Sequence, residues 1–421
     1  MLWLLALWRG VASDEGGAGG KVLVVHNVQH FELTHGEMLR ALRRHFGQVD
    51  SFKSSEVLSS RVKLYGFKKP LYDLVVMVLP TSGKAMPVAE KLELLQFYDE
   101  GKSLMLLGDG FSVQSWRILL SQFGFDAVTA GSEGTGDNRL FTSTLDSRIF
   151  VPKSAFKFEK LAAGIKKGIV YDGGALSLSP YENVISWSLM EAPETALLIR
   201  ENQPTQVIDR NMMNLVVAAQ GTNNRARVVG VGSFRMFSNE LNNESEGDNL
   251  QYFENLVKWL KFETHVFTIE NLTVCSAEDL RCPSPATFRK KYQVAVRFQV
   301  FDEDGNFYAP AEGKIYTHLT KQTPIATTEL KPVTENGEQF YSEVLNPLDK
   351  GIYKLTIVHN KPGYYFDSRE NIRMINILPD IIEHIELFSL EGLPFLVIIG
   401  LVMFSALNTL RVLVNNKKHD K

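Results

Sequence analysis

Val22-Leu-Val-Val25, Leu74-Val-Val-Met-Val-Leu79 and Ser103-Leu-Met-Leu-Leu107 decide the fold. Each is a short run of aliphatic residues without polar alternation, so each is expected to be a strand buried on both faces. Helical patterns lie between them. Met38, Leu39 and Leu42 recur at helical spacing after the first run. The stretch 88–100 reads as a helix that ends at Gly101, a residue suited to the left-handed turn that closes helices. Strands buried on both faces and separated by helices predict an α/β domain with a doubly wound, mostly parallel sheet.

From Asp126 to Glu263 the pattern is less regular and richer in short strands. Leu215 to Gln220 and Arg227-Val-Val-Gly-Val-Gly232 read as strands. Phe253, Leu256, Val257 and Leu260 share one face of a helix over 249–261, which packs on the sheet and completes an α/β domain placed at 21–265. After Cys282-Pro-Ser-Pro285 the period changes to two. Tyr292-Gln-Val-Ala-Val-Arg-Phe-Gln-Val300 and Gly351-Ile-Tyr-Lys-Leu-Thr-Ile-Val358 alternate, with Asp302-Glu-Asp-Gly305 as a turn, and a β-sandwich over 285–380 is expected. The acidic turn keeps calcium-loop spacing for too few residues and reads as a solvated hairpin.

The two ends place the chain in a membrane. Met1-Leu-Trp-Leu-Leu-Ala-Leu-Trp8, then Arg9-Gly-Val-Ala-Ser13, reads as a signal peptide over 1–13 with a cut after Ala12 or Ser13. The stretch Leu393 to Val414 is apolar apart from Ser405, Asn408, Thr409 and Arg411, long enough at a rise of about 1.5 Å per residue to cross a hydrocarbon core. A transmembrane helix over 393–414 is expected, with Gly400, Ser405, Ala406 and Asn408 as a candidate helix-packing face. The basic tail 415–421 then lies in the cytosol by the positive-inside rule, which leaves the bulk of the chain lumenal as a single-pass type I protein. Cys275 and Cys282 are the only cysteines and form a candidate disulfide in an oxidising lumen. Asn243-Glu-Ser245 and Asn271-Leu-Thr273 are candidate N-glycosylation sites, at Asn243 and Asn271.

At 421 residues and 44% hydrophobic content the chain can bury a sizeable core. Net charge is −3 and no basic stripe is interleaved with aromatics, which excludes a nucleic-acid partner. In doubly wound sheets, ligands sit beyond the carboxyl ends of the strands, here the loops holding Asn27, His35, Thr81 and Asp109. No dinucleotide fingerprint, Walker A motif or nucleophile elbow accompanies them, and no cofactor site is read. His26, His30 and His35 are close in sequence, but on a loop, and read as loop and helix-start residues rather than metal ligands. Two alternatives remain open at this crevice. One is a lumenal hydrolase or amidotransferase-like enzyme with His35 or Asp109 as base. The other is a sugar- or peptide-binding module with Tyr65, Phe67 and Tyr72 as stacking surface.

Lys21-Val-Leu-Val-Val-His-Asn-Val with Thr34-His35, Leu64-Tyr-Gly66 and Leu71-Tyr-Asp73, Asn223-Asn-Arg-Ala-Arg-Val-Val, Gly232-Ser233, Phe237-Ser238, the Trp259 helix and Pro362-Gly-Tyr-Tyr365 succeed one another in an order that resembles the 48 kDa subunits of oligosaccharyltransferase. The resemblance runs from the first strand to the apolar C-terminal stretch. It implies a non-catalytic type I subunit of an endoplasmic-reticulum membrane complex that transfers a preassembled oligosaccharide from dolichyl diphosphate to Asn in N-x-[ST]. Its partners would be the other subunits, including a multi-spanning catalytic one. The chain departs from the family pattern in two places. His26 occupies a position where the family tends to be acidic. The tail carries Lys417 and Lys418, with His419 at the third place from the end, where a retrieval signal would want lysine.

Overall fold

A computed structural model of the chain describes residues 19–53, 63–78, 88–108, 114–128, 138–141, 148–200, 213–222, 224–242, 247–278, 281–290, 292–309, 314–345, 348–359, 361–366, 371–379 and 401–409. They fall in two compact units, Met1–Val266 and Phe267–Lys421.

The first unit carries strands β1 (Lys21–His26), β2 (Gln48–Lys53), β3 (Leu74–Val78), β4 (Ser103–Leu107), β5 (Phe125–Ala127), β6 (Leu176–Leu178), β7 (Val184–Glu191), β8 (Asn214–Gly221) and β9 (Arg227–Val231). Its helices are α1 (Phe31–Thr34), α2 (Gly36–His45), α3 (Val88–Asp99), α4 (Gln114–Ser121) and α5 (Asn249–Leu260). The nine strands form one sheet in the order β2-β1-β3-β4-β9-β8-β6-β5, with β7 also paired to β8. Alternate residues of β1 serve opposite faces: Val22 and Val24 meet α2 and α5 through Met38, Leu42, Leu256 and Trp259, whereas Leu23 and Val25 meet α3 and α4 through Phe97 and Leu120. A strand with helices on both sides has no solvated face, which is why these runs lack polar alternation.

The expected mostly parallel sheet is corrected to a mixed one. Pairings among β2, β1, β3, β4 and β9 are parallel. Those of β8 with β9, β6 and β7, and of β6 with β5, are antiparallel. For β8 and β9 the cause is the connection length. A turn as short as Gly221–Ala226, closed by the Gly221 amide donating to the Ala226 carbonyl at 3.0 Å, can join only antiparallel strands.

The second unit is a sandwich of two five-stranded sheets. One runs β15 (Pro332–Glu335), β16 (Glu338–Leu345), β12 (Val294–Phe301), β10 (Val266–Ser276), β18 (Tyr365–Phe366). The other runs β11 (Thr287–Arg289), β19 (Ile372–Leu378), β17 (Gly351–His359), β13 (Ile315–Thr320), β14 (Pro324–Leu330). Val296, Phe298 and Val300 face Leu355, Ile357 and Ile375 across a dry core. The strand β10, which pairs with β12, lies before residue 285. The alternation of β10 is broken by an irregularity between Glu270 and Thr273, where Asn271 takes φ 53° and slips the inward face by a residue. A disulfide joins Cys275 to Cys282 and ties the end of β10 to the loop before β11.

Among the described residues no helix is long and apolar enough to cross a membrane. Of the stretch 393–414, only residues 401–409 are described, and they are helical with exposed side chains. The signal-peptide and tail segments lie outside the described residues.

Candidate functional site

The chain leaves β1 toward β2 on one side and returns to β3 on the other, so the carboxyl end of β1 is the switch point of the sheet, where such folds place ligands. Asn27, the first residue beyond the strand, is exposed. Past Asn27, three ring side chains pack on one another. His26 stacks on Phe31 with ring centroids 4.3 Å apart, and Phe31 stacks on His35 at 4.6 Å. His35, only 2% exposed, has both ring nitrogens engaged: Nδ1 lies 2.9 Å from Thr34 Oγ1 and Nε2 lies 3.3 Å from the Phe234 carbonyl. The Phe234 carbonyl can only accept, so Nε2 carries the proton and Nδ1 accepts from Thr34. Burial then pulls the His35 pKa down to about 4, with nearby His26 adding to the shift and the Phe234 carbonyl opposing it. The ring is neutral at physiological pH and pins α1 to the turn after β9.

Asn239 continues this seam. Its side-chain amide nitrogen reaches the Leu33 carbonyl at 2.7 Å, its Oδ1 accepts from the Glu37 amide at 3.0 Å, and its own backbone amide donates to the Thr34 carbonyl at 2.7 Å. One asparagine thus satisfies groups left over at the end of α1 and the start of α2. Where β9 ends, Gly232 and Ser233 lie against Asp172, Gly173 and Gly174: the Ser233 hydroxyl donates to the Asp172 carbonyl, and Arg235 meets the Asp172 carboxylate at 3.4 Å. These backbones approach so closely that a β-carbon on Gly173 would lie 2.2 Å from the Ser233 β-carbon.

His26 and His35 are therefore brought together, through Phe31, as a stack. Thr81 and Asp109 lie outside the described residues, as do Asn243 and Gly400. Among the described residues no group of three or more His, Cys, Asp or Glu is arranged to hold a metal. Tyr65, Phe67 and Tyr72 are not gathered into a platform: Tyr65 is partly buried, Tyr72 is buried with its hydroxyl 3.0 Å from Asp50, and Phe67 stands fully exposed. Asn271 is exposed on its bulge, its amide 2.6 Å from Gln299 Oε1. Ser405, Ala406 and Asn408 are exposed on the helical stretch 401–409.

Arg227 carries no signal in the sequence. It begins β9, is wholly buried, and donates to the carbonyls of Trp259, Thr264 and His265, while its guanidinium stacks 4.5 Å from the Trp259 ring and 4.8 Å from the Phe262 ring. The Trp259 carbonyl lies at the end of α5, where it also accepts from the Phe262 amide at 3.0 Å and where the helix dipole favours a cation.

Acid is expected to loosen the His35 seam. The unfolded ring titrates near 6.5 and the folded one near 4, so between these values the unfolded state binds the extra proton. Stability is full above pH 6.5 and falls as pH drops toward 4, by at most about 1.4 kcal/mol per pH unit from this residue. In urea titrations of the purified chain, His35→Gln is expected to flatten that slope. An unchanged slope would show that the ring does not titrate as its burial requires.

These features define a class: a mixed α/β domain followed by a β-sandwich. The chain belongs to the OST48 family, because the family described as OST48, N-terminal domain, matches residues 15–263. It is similar to the dolichyl-diphosphooligosaccharide–protein glycosyltransferase 48 kDa subunit of Arabidopsis thaliana, 21% identical over 383 residues that cover 86% of each chain. Among solved structures, the mmIFT52 N-terminal domain aligns at 12% identity and TM-score 0.36, over 57% of this chain and 97% of its own. A putative ThuA-like protein from Parabacteroides merdae aligns at 11% and 0.32, over 57% and 89%. The carbohydrate deacetylase Agd3 aligns at 14% and 0.30, over 51% and 29%.

Proposed function

We propose that this chain is a non-catalytic subunit of an oligosaccharyltransferase complex in the endoplasmic-reticulum membrane. Its lumenal units and a single helix over 393–414 support the assembly and activity of a separate, multi-spanning catalytic subunit that moves oligosaccharide from dolichyl diphosphate to asparagine. The observation that carries this reading is the likeness to the Arabidopsis 48 kDa subunit, which extends over 86% of both chains and so reaches past the family's N-terminal domain into the sandwich.

Three features of the molecule support it. His35, one of the two residues the sequence offers as a base, has both ring nitrogens engaged within the fold and a pKa drawn down by burial to about 4, which suits a structural role. Leu401, Val402, Met403, Phe404 and Leu407 are each more than 60% exposed on the helical stretch 401–409, a surface suited to lipid or to other membrane helices. The Cys275–Cys282 disulfide suits an oxidising lumen.

Native mass measurement after mild-detergent extraction is expected to find the chain with a multi-spanning partner, and its depletion to leave N-x-[ST] sites unoccupied. Recovery as a lone monomer, with glycosylation intact after depletion, would remove the proposal.

A further inference from the structure

Between β2 and β3 a small hairpin projects from the first unit, and nothing in the fold accounts for its tip. Tyr65–Gly66 pairs antiparallel with Lys69–Pro70, and the turn between them is Phe67-Lys68. Both turn residues sit at positive φ, 50° and 65°. A two-residue turn of this hand normally takes Asn-Gly or Gly-Gly, because a β-carbon disfavours the left-handed region, and here an aromatic and a lysine occupy it in succession. Phe67 is fully exposed, at 106% of its reference accessibility. An exposed phenylalanine on an unfavourable backbone contributes nothing to folding, and strain of this kind concentrates where a surface is shaped for contact.

The base of the hairpin is rigid by contrast. Leu64 and Tyr72 on its two arms are buried in the sheet's core, and the Leu71 amide donates to the Leu64 carbonyl at 2.8 Å. Leu71 also packs over Gly66, where an added β-carbon would lie 2.7 Å from its Cδ2. The tip is therefore carried on a base anchored in the core. Lys63, Lys68 and Lys69, near Phe67 in sequence, are exposed and form no ion pair with the described residues.

We infer that this hairpin is a docking finger: Phe67 enters an apolar socket on another protein, and these lysines meet a carboxylate rim on that partner. An exposed aromatic anchor with lysines adjacent in sequence matches the anatomy of an interface hot spot with a charged rim. A bilayer surface would also accept an aromatic ring with lysines. Membrane attachment, however, takes an extended apolar face, and the finger offers one fully exposed ring with Leu71 half-exposed beside it.

The test is made on the full-length chain in its native membranes. A photo-reactive phenylalanine analogue at position 67 is expected to crosslink to one protein, with the attachment mapping to an apolar segment flanked by Asp or Glu. The same analogue at Ile118, which is 52% exposed, serves as control and is expected not to label that protein. Phe67→Ser is expected to weaken capture of the mapped partner about thirty-fold, the scale of a central anchor, and Phe67→Trp to retain it. Thermal unfolding of Phe67→Ser should match that of the unaltered chain. Labelling of lipid alone, labelling at both positions alike, or undiminished capture by Phe67→Ser would each overturn the proposal. A mapped partner outside any glycosyltransferase complex would uphold the finger while removing the function proposed above, so the two can fail separately.

Discussion

Replacing Arg227 by alanine is expected to destabilise the α/β unit by about 4 kcal/mol, near the upper end of single-residue effects. The size of the loss comes from what the side chain satisfies. Three backbone carbonyls, of Trp259, Thr264 and His265, converge on one guanidinium in a site without solvent. The Thr264 and His265 carbonyls would lose this donor at roughly 1–3 kcal/mol each, whereas the Trp259 carbonyl keeps the Phe262 amide at 3.0 Å. Stacking on the Trp259 and Phe262 rings adds a cation–π contribution of about 1 kcal/mol.

The site also holds an awkward turn. After α5 the chain passes through Phe262 and His265, both at φ 61°, before entering β10. The guanidinium helps to fix these two closely spaced non-glycine residues in the left-handed region, beside the Phe262 amide bond to the Trp259 carbonyl. Arg227→Lys should recover only part of the loss, because a compact ammonium cannot reach three divergent carbonyls while lying flat between two rings. Chemical unfolding monitored by tryptophan fluorescence reads the result directly, since Trp259 is the stacked ring. A loss under about 1 kcal/mol for Arg227→Ala would mean that these carbonyls find other donors.

How much of this is legible in the sequence depends on how local each interaction is. β1, β3 and β4 announce themselves because burial on both faces suppresses polar residues within a few positions. The strands β5 and β6 are three residues each, too short for a period, and their place in the sheet is set by partners far along the chain. Arg227 reads as an ordinary polar residue at a strand start, since the carbonyls that bury it lie 32 to 38 residues downstream. His35 is legible as a crevice residue but not in its role: one ring nitrogen is taken by its neighbour and the other by Phe234, 199 residues away. β10 escapes as the first strand of the sandwich because the bulge at Asn271 breaks the alternation that marks β12 and β17. In the sequence Phe67 reads only as one of three candidate stacking aromatics. Its exposure and its turn geometry belong to the folded chain.

Gly232→Ala is expected to cost about 3 kcal/mol, at the upper end of overpacking effects, although the change adds one methyl group. The new β-carbon would stand 2.3 Å from the Gly174 carbonyl oxygen and 2.5 Å from the Tyr171 hydroxyl. Neither neighbour can turn aside. The Gly174 oxygen is backbone and accepts from that same Tyr171 hydroxyl, while the Gly174 amide donates back to the Gly232 carbonyl at 3.2 Å. Relief requires the 172–174 segment to separate from the end of β9, which also breaks the bond from Ser233 to the Asp172 carbonyl. Gly173→Ala would push on the same contact from the other side, its β-carbon 2.2 Å from that of Ser233. The two changes should therefore be strongly sub-additive: once either has parted the segments, the other meets open space. A double-mutant cycle measured by urea unfolding checks this, with a coupling of about 2 kcal/mol expected. Full additivity would mean that each alanine is accommodated independently, and the close approach of these two backbones would then not be what holds the carboxyl edge of the sheet shut.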